Sequence, residues 1–306
     1  MTDTTVDLGR GLVLKNPVMS ASGTFGYGEE ASAYFSLSEL GAVVVKGISL
    51  LPRQGNLPPR IVETPAGMLN SIGLQNVGVE AFIAEKLPFL LEEDATVVVN
   101  VLGGSVDEYL AVTNRLNDVD GIGALEINIS CPNVREGGVQ FGVRPDLASG
   151  LVAALRESTD HHLMVKLSPN AGDVTRIAVA VQDAGADSIS LINTVTAMDI
   201  DTRTRKPVLG GLLGGLSGPA IRPIALRMVY QVSGAVEIPV VGLGGILEPD
   251  HALKFLIAGA SAVQIGTATF VDPMTPVKIV KGIERYMEDL GAGSLADVVG
   301  SLIVGD

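Results

Sequence analysis

The chain has 306 residues, 1 cysteine and a net charge of −13, with 21 Lys and Arg against 34 Asp and Glu. This length suits one α/β barrel of roughly 250 residues with additions, so we expect a single domain over residues 1–306. The acidic balance argues against a nucleic-acid groove or an anionic membrane surface, and the single cysteine excludes an intrachain disulfide or an iron–sulfur cluster held by four thiolates of this chain.

The amino-terminal segment MTDTTVDLGR lacks the basic and apolar regions of a signal peptide. No apolar run approaches the roughly 18 residues of a membrane span. We therefore expect a cytoplasmic protein whose partners are small molecules or other proteins.

The predicted elements alternate between strand and helix. The chain opens with VDL and LVL about a Gly-rich turn, which predicts a β-hairpin plugging the bottom of a barrel. Eight segments then predict parallel strands, most of them short and apolar on both faces, over residues 17–22, 42–47, 96–101, 124–130, 163–168, 188–193, 239–244 and 262–267. Helical spacing predicts helices over residues 29–40, 105–117, 145–158, 173–184, 219–231, 249–258 and 273–290. Eight repeats favour a closed TIM (β/α)8 barrel over an open sheet.

Two connections are longer than a barrel needs. Residues 48–76 are rich in Pro, Gly and Asn, so we expect this loop to fold over the carboxyl-terminal mouth of the barrel. Residues 194–218 carry glycines that would let the backbone approach a ligand or move as a lid. A mobile surface excursion is the alternative for the middle of this second loop.

The stretch LEINISCPNV places the cysteine at the end of a strand. Pro132 cannot donate to a sheet ladder, so pairing should stop there and Cys131 should lie at the carboxyl-terminal lip. Active sites of α/β barrels are built at that lip. A buried cysteine acting as a small hydrophobe is the alternative, but Ser130 and Asn133 indicate polar surroundings.

Other polar residues and glycines also follow the predicted strands. They are Ser22, Lys46, Asn100, Asn128, Lys166, Asn193 and Thr194, then Gly244–Gly245 and Gly266–Thr267. Glycines after strands seven and eight match the phosphate site of many such barrels, although Gly244–Gly245 alone could be an ordinary tight turn. The segment GLGGIL lacks the third glycine of a dinucleotide fingerprint, so a mononucleotide such as FMN fits better than directly bound NAD.

The charged side chains at these strand ends suggest anion contacts rather than metal binding. Lys46 and Lys166 end apolar strands, where each ammonium needs either an anionic ligand such as a flavin or an ion pair with a neighbouring carboxylate. For His161, His162 and His251 we expect surface rather than catalytic roles, and the sequence shows no metal constellation.

Over essentially its whole length the sequence resembles the class 1 dihydroorotate dehydrogenases. The matching blocks are NPVMSASGTFGYG, VVVKGIS, GMLNSIGLQN, EINISCPN, MVKLSPN, LINT, LSGPAIRP, VVGLGGI and QIGTA. The GMLNSIGLQN loop resembles the NAD-linked class 1B more than the fumarate-using class 1A. The cysteine in EINISCPN is typical of class 1, since class 2 enzymes carry a serine there.

The resemblance implies a function and a set of roles. The chain would oxidise dihydroorotate to orotate in de novo pyrimidine biosynthesis, with Cys131 as the base. FMN would be held by Ser22, Lys46, Gly47, Asn100, Asn128, Lys166, Ile192, Gly218, Gly244, Gly245, Gly266 and Thr267. Substrate would be held by Lys46, Asn70, Ser71, Ile72, Gly73, Leu74, Asn128, Asn193 and Thr194. Class 1B further implies a partner subunit with FAD and a [2Fe–2S] cluster, docked on a homodimer core in a heterotetramer.

Two rival interpretations remain open at the sequence level. One is another flavin enzyme on the same barrel, such as a fumarate-linked class 1A enzyme or a dihydropyrimidine dehydrogenase. The other is a non-redox barrel that binds a phosphorylated ligand and has a structural cysteine. The colour of the purified protein separates these two classes, because bound FMN is yellow.

Overall fold

A computed structural model describes residues 2–130 and 141–305. In chain order its strands are β1 Val6–Asp7, β2 Val13–Leu14, β3 Val18–Ser20, β4 Val43–Val44, β5 Ile61–Thr64, β6 Gly67–Asn70, β7 Val97–Val101, β8 Ile122–Asn128, β9 His162–Lys166, β10 Ser188–Leu191, β11 Val195–Ala197, β12 Ile200–Asp201, β13 Lys206–Pro207, β14 Gly214–Ser217, β15 Val240–Leu243 and β16 Ala262–Ile265.

Eight parallel strands form the barrel that the sequence predicts. Their order is β3-β16-β15-β10-β9-β8-β7-β4, and a parallel bridge between Met19 and Ala42 joins the first strand to the last. The Ser20 amide donates to the Ala42 carbonyl at 3.1 Å across this seam. The predicted TIM barrel is therefore confirmed.

Helices cover the barrel between its strands. They are α1 Glu29–Ser32, α2 Val79–Ala81, α3 Leu87–Glu92, α4 Val106–Asn117, α5 Pro145–Ser158, α6 Val174–Asp183, α7 Arg222–Ser233, α8 Pro249–Ile257, α9 Ala268–Val271 and α10 Thr275–Leu290. A π-helical turn, Phe82–Lys86, joins α2 to α3, and short 3₁₀ helices lie at Leu37–Glu39, Phe141–Val143, Pro219–Ile221 and Leu295–Asp297. No helix in residues 2–130 and 141–305 is both long enough and apolar enough to cross a membrane.

The amino-terminal hairpin closes the bottom of the barrel, as predicted. Strands β1 and β2 pair antiparallel, and Leu8 and Leu12 between them are buried. The Gly9 carbonyl lies 2.9 Å from His162 Nδ1 at the start of β9, and Arg10 pairs with Asp187 just before β10 at 2.8 Å. These contacts place the hairpin at the amino-terminal ends of the strands, opposite the expected site.

Both long connections contain strands that the sequence did not predict. Strands β5, β6, β11 and β14 form an antiparallel sheet in the order β11-β14-β6-β5, and β12 pairs with β13. The pairing of β6 with β14 ties the first long connection to the second. Backbone ladders hold both ends of residues 194–218, and the β12–β13 pair lies in the middle, where a mobile excursion is the alternative at the sequence level.

Two predicted elements have different bounds for local reasons. The helix expected over residues 29–40 stops at Ser32, and the break brings Phe35 and Leu37 into the core. The strand expected over residues 124–130 runs from Ile122 to Asn128. It ends early because the Ser130 amide turns back to Asn128 Oδ1 at 3.2 Å.

The barrel interior is more polar than the sequence suggests. We expect most of the strands to be apolar on both faces, but six of the eight barrel strands carry a buried polar side chain. The buried polar side chains include Ser20, Asn100, Glu126, Lys166, Ser190 and Gln264. Buried polar groups need partners. Ser20 Oγ donates to the Val44 carbonyl, and the other five side chains form a network within the barrel.

Candidate active site

A cavity opens at the carboxyl-terminal ends of the barrel strands. Active sites of α/β barrels are built at this end of the strands. Many predicted cofactor and substrate residues line it, namely Ser22, Lys166, Ile192, Asn193, Thr194, Gly218, Gly244, Gly245, Gly266 and Thr267. The structure therefore brings together residues from distant parts of the chain.

Glycines form one wall of this cavity where the backbone packs too closely for side chains. Gly245 has φ +72°, and a Cβ there would lie 2.7 Å from the Gly218 carbonyl oxygen and 2.8 Å from Arg222 Cβ. Gly244 has φ +132°, which L side chains rarely adopt. This wall can present backbone amides to an anion at close range.

A second wall depends on a buried carboxylate that sequence analysis missed. Glu126 is fully buried in β8. Its Oε2 accepts from Asn100 Nδ2 at 2.6 Å and Lys166 Nζ at 3.5 Å. Its Oε1 accepts from Ser190 Oγ at 2.8 Å and Gln264 Nε2 at 2.7 Å. One carboxylate thus connects β8 to four other barrel strands.

Lys166 forms the ion pair with a neighbouring carboxylate that is one alternative at the sequence level. Its partner is Glu126, and Lys166 also lines the cavity. Lys46 is half-buried, and burial, reinforced by the Arg60 charge, lowers its pKa, while Glu30 opposes this shift. Because burial disfavours the charged form, an anion near Lys46 would raise its pKa again.

Four predicted residues lie beside the cavity rather than on its lining. They are Lys46, Gly47, Asn100 and Asn128. Asn128 Nδ2 lies 3.5 Å from Asn100 Oδ1, and a Cβ at Gly47 would lie 2.8 Å from that same oxygen. This group joins the cavity through the hydrogen bond of Asn100 to Glu126.

The predicted substrate segment, Asn70 to Leu74, also lies off the cavity lining. Asn70 Nδ2 donates to the Gly215 carbonyl at 3.2 Å across the β6–β14 pair. Asn56 holds the next residues. Its side-chain Nδ2 donates to Ser71 Oγ at 3.0 Å, and its backbone N–H donates to the Ile72 carbonyl at 3.0 Å. The ladder leads from this segment to Ser217, which lines the cavity.

Cys131, the predicted base, falls outside the described residues, as does Asn133. Ser130, the last described residue before them, is buried, and its Oγ donates to the Lys166 carbonyl at 2.9 Å. The described chain thus reaches the strand end next to Lys166 just before Cys131.

The histidines differ from the expected surface positions. His162 is 2% exposed and His251 is 9% exposed, so a surface location is wrong for both. His162 Nε2 lies 2.7 Å from Ser188 Oγ, and burial lowers the pKa of His162. Burial, followed by the Arg222 charge, also lowers the pKa of His251. Neither histidine lines the cavity.

Among residues 2–130 and 141–305, one group of two carboxylates and a histidine has the geometry to hold a metal ion. Ligand atoms of Glu248, Asp250 and His251 lie within 4.8 Å of one another. Arg222 Nη1 lies 2.6 Å from His251 Nε2 and adds a positive charge there. Because this guanidinium opposes a cation, the group carries no metal assignment.

Sequence reasoning missed Glu126, Gln264, Thr24 and Ser217. Thr24, Ser217 and Gln264 line the cavity, and Thr267 Oγ1 donates to Ser217 Oγ at 2.8 Å. The available signal was a polar residue inside an otherwise apolar strand, as in LEINI and AVQIG. Thr24 and Ser217 gave no comparable signal, because both lie in polar, Gly-rich segments.

The sequence is similar to known proteins over almost its whole length. The sequence model of the family described as dihydroorotate dehydrogenase matches residues 7–287. The chain is 56% identical over 300 residues to a protein of Pelobacter propionicus, covering 98% of each chain. It is 53% identical over 293 residues to a protein of Geotalea uraniireducens, covering 96% of each. Both relatives are named dihydroorotate dehydrogenase B (NAD(+)), catalytic subunit.

Proposed function

Because the chain belongs to the dihydroorotate dehydrogenase family, we propose that it oxidises dihydroorotate to orotate with a bound FMN, as a step of pyrimidine biosynthesis. One observation carries this proposal. The cavity at the strand ends combines a glycine wall suited to a phosphate with Lys166, Asn193 and Thr194.

The residues of the cavity fit FMN. Gln264 lines the cavity, and its buried Oε1 has no hydrogen-bond partner among the described residues. Such an atom calls for a ligand or water with an N–H or O–H donor, and the flavin ring has an imide N–H. Gly244, Gly245, Gly266 and Thr267 would hold the phosphate, and Lys166 the ring. Bound FMN would supply a two-electron acceptor for hydride.

The remaining predicted cofactor residues complete the site on its other side. Ser22, Ile192 and Gly218 would contact FMN from the cavity wall, with Lys46, Gly47, Asn100 and Asn128 beside them. Lys46, Asn128, Asn193, Thr194 and residues 70–74 would hold dihydroorotate. Amides and an ammonium suit this substrate, because its carboxylate and its ring carbonyls and N–H groups need both donors and acceptors.

The chain's own chemical step is a proton transfer. Oxidation of dihydroorotate removes a proton from C5 and a hydride from C6, so the site needs a base near C5. Cys131 would be that base, since a thiolate accepts the proton directly. The two long connections would limit the access of water to the mouth, which strengthens polar contacts inside it.

Electrons would leave through a partner subunit. Both relatives are named as NAD-linked catalytic subunits, yet this chain has no dinucleotide fingerprint and 1 cysteine. A partner carrying FAD and a [2Fe–2S] cluster would supply the missing path to NAD. We place the assembly, a homodimer core within a heterotetramer, in the cytoplasm.

The absorbance spectrum of the purified chain tests the cofactor. We expect a yellow protein with about one FMN per chain, identified by mass spectrometry after release. A colourless protein that takes up no added FMN would refute the proposal and favour a non-redox barrel that binds a phosphorylated ligand.

A further inference from the structure

The buried carboxylate of Glu126 is adjacent to the cavity but does not line it. It lies opposite Asn100 in the β7–β8 register. Asn128, two residues along the same strand, pairs with Lys166 in the β8–β9 register. The carboxylate therefore lies in the same part of the barrel as the lysine that reaches the cavity.

Lys166 connects this carboxylate to the cavity. Within residues 2–130 and 141–305, Glu126 is the hydrogen-bond partner of the Lys166 ammonium, at 3.5 Å. An ammonium has three donors, so it retains donors for a ligand in the cavity that Lys166 lines. The carboxylate and the ligand thus contact the same cation.

We propose that Glu126 is a positioning residue that holds the Lys166 ammonium at the cavity wall and offsets part of its positive charge. The net charge of the Glu126–Lys166 pair, rather than Lys166 alone, then sets how strongly the site favours reduced over oxidised FMN. This inference rests on the proposed function, because it requires FMN in the cavity.

The proposal predicts an order of midpoint potentials for the bound FMN. Reduction adds negative charge to the cofactor, so a more positive pair raises the potential. Glu126→Gln leaves the lysine uncompensated and should give the highest value. The wild type and the double variant Glu126→Gln/Lys166→Met, in which the pair is neutral, should lie in the middle. Lys166→Met leaves the carboxylate alone and should be lowest.

Each step should be measurable. We expect the ratio of the affinities for reduced and oxidised FMN to change about tenfold for each unit of charge on the Glu126–Lys166 pair, the usual effect of one nearby charge. For a two-electron couple, a tenfold change corresponds to about 30 mV. Titration against reference dyes under anaerobic conditions measures the potential without any turnover.

The structure provides for folding of the key variants. Glu126→Gln keeps the shape of the buried side chain, and its remaining oxygen can still accept from Gln264 Nε2 and Ser190 Oγ. Should this variant fail to fold, the double variant provides a second test, since replacing a whole buried pair is tolerated better than breaking it. Its potential should exceed that of Lys166→Met.

Ser190→Ala is the matched control. It removes the 2.8 Å hydrogen bond to Glu126 Oε1 but no charge, so its potential should stay near that of the wild type. Glu126→Asp should also stay near the wild type, because it retains the carboxylate.

The outcomes separate the two proposals. FMN-loaded Glu126→Gln with a potential at or below that of the wild type would overturn the role of Glu126 and leave the proposed function intact. Equal potentials for Lys166→Met and the double variant would do the same. A wild-type chain that binds no FMN would overturn both proposals.

Discussion

Cys131 is the proposed base for the proton transfer from dihydroorotate. We predict that Cys131→Ala retains FMN but is reduced by dihydroorotate roughly 10²- to 10⁴-fold more slowly, the usual contribution of a positioned general base. Anaerobic stopped-flow absorbance measures this rate. Cys131→Ser, the conservative variant, should recover part of the rate only at high pH, where the weaker acid loses its proton. A near-normal rate in the alanine variant would remove Cys131 from the mechanism.

His162 should make the stability of the fold depend on pH. Burial is the largest cause lowering its pKa in the folded state; the Gly9 carbonyl and Asp187 oppose this shift, while Arg10 and Arg156 reinforce it. The neutral form is therefore favoured in the folded state. The stabilisation that neutral His162 gives the folded state is complete above the unfolded pKa of about 6.5. It is lost as the pH falls from there toward the lower pKa of the folded state.

Urea unfolding between pH 8 and pH 5 tests this effect. The free energy of unfolding of the wild type should fall more steeply below about pH 6.5 than that of His162→Gln, which cannot titrate. His161→Gln is the matched control, because it replaces the partly exposed neighbouring histidine and leaves His162 in place. Parallel curves for the wild type and His162→Gln would contradict the assignment.

The sequence predicted the strand-end residues better than the residues beneath them. Lys166 and Asn193 were predicted because strand ends in a barrel share one mouth, and both line the cavity. Glu126 and Gln264 were missed because their partners lie on other strands. Glu126 and its four partners lie on β7, β8, β9, β10 and β16, which come together only when the barrel closes. No local sequence pattern encodes this closure.

At the scale of elements, the turn after β15 should control cofactor affinity. We predict that Gly245→Ala weakens FMN binding by about tenfold or more, because the roughly 1–3 kcal/mol of strain at a left-handed position would be relieved by a shift of the turn that faces the phosphate. The new Cβ would also lie 2.7 Å from the Gly218 carbonyl oxygen. The FMN dissociation constant, measured by fluorescence quenching, checks this expectation.

Gly300→Ala is a matched control for backbone strain. Gly300 has a similar φ of +70°, and a Cβ there meets nothing within 4 Å. This control should lose stability while its FMN dissociation constant stays unchanged. Equal FMN affinity in Gly245→Ala and the wild type would show that the glycine wall does not hold the phosphate.

Most barrel elements were predictable because their apolar periodicity is local. Helix α5 runs over Pro145–Ser158 as expected, and α4 begins one residue after its predicted start. The sheet of β5, β6, β11 and β14 was not predictable, because its strands are short, polar and Gly-rich. They also pair across long chain separations. The helical segment over residues 79–92 also escaped prediction, since Pro88 interrupts its pattern.

At the scale of the whole molecule, the isolated chain should be an incomplete NAD-linked enzyme. We predict that it reduces artificial acceptors with dihydroorotate but not NAD, because it has no dinucleotide fingerprint and 1 cysteine. NAD reduction should appear when the electron-transfer partner is added. Rapid NAD reduction by the homogeneous chain would contradict this, and efficient turnover with fumarate would indicate a class 1A enzyme.

The central claim is that this chain alone oxidises dihydroorotate through FMN at the mouth of its barrel. Anaerobic titration of the FMN-loaded chain with dihydroorotate, followed by flavin absorbance and chromatography, tests it most directly. We predict that the flavin band bleaches and that one orotate forms per FMN reduced. A flavin band that persists in excess dihydroorotate, with no orotate formed, would contradict the claim.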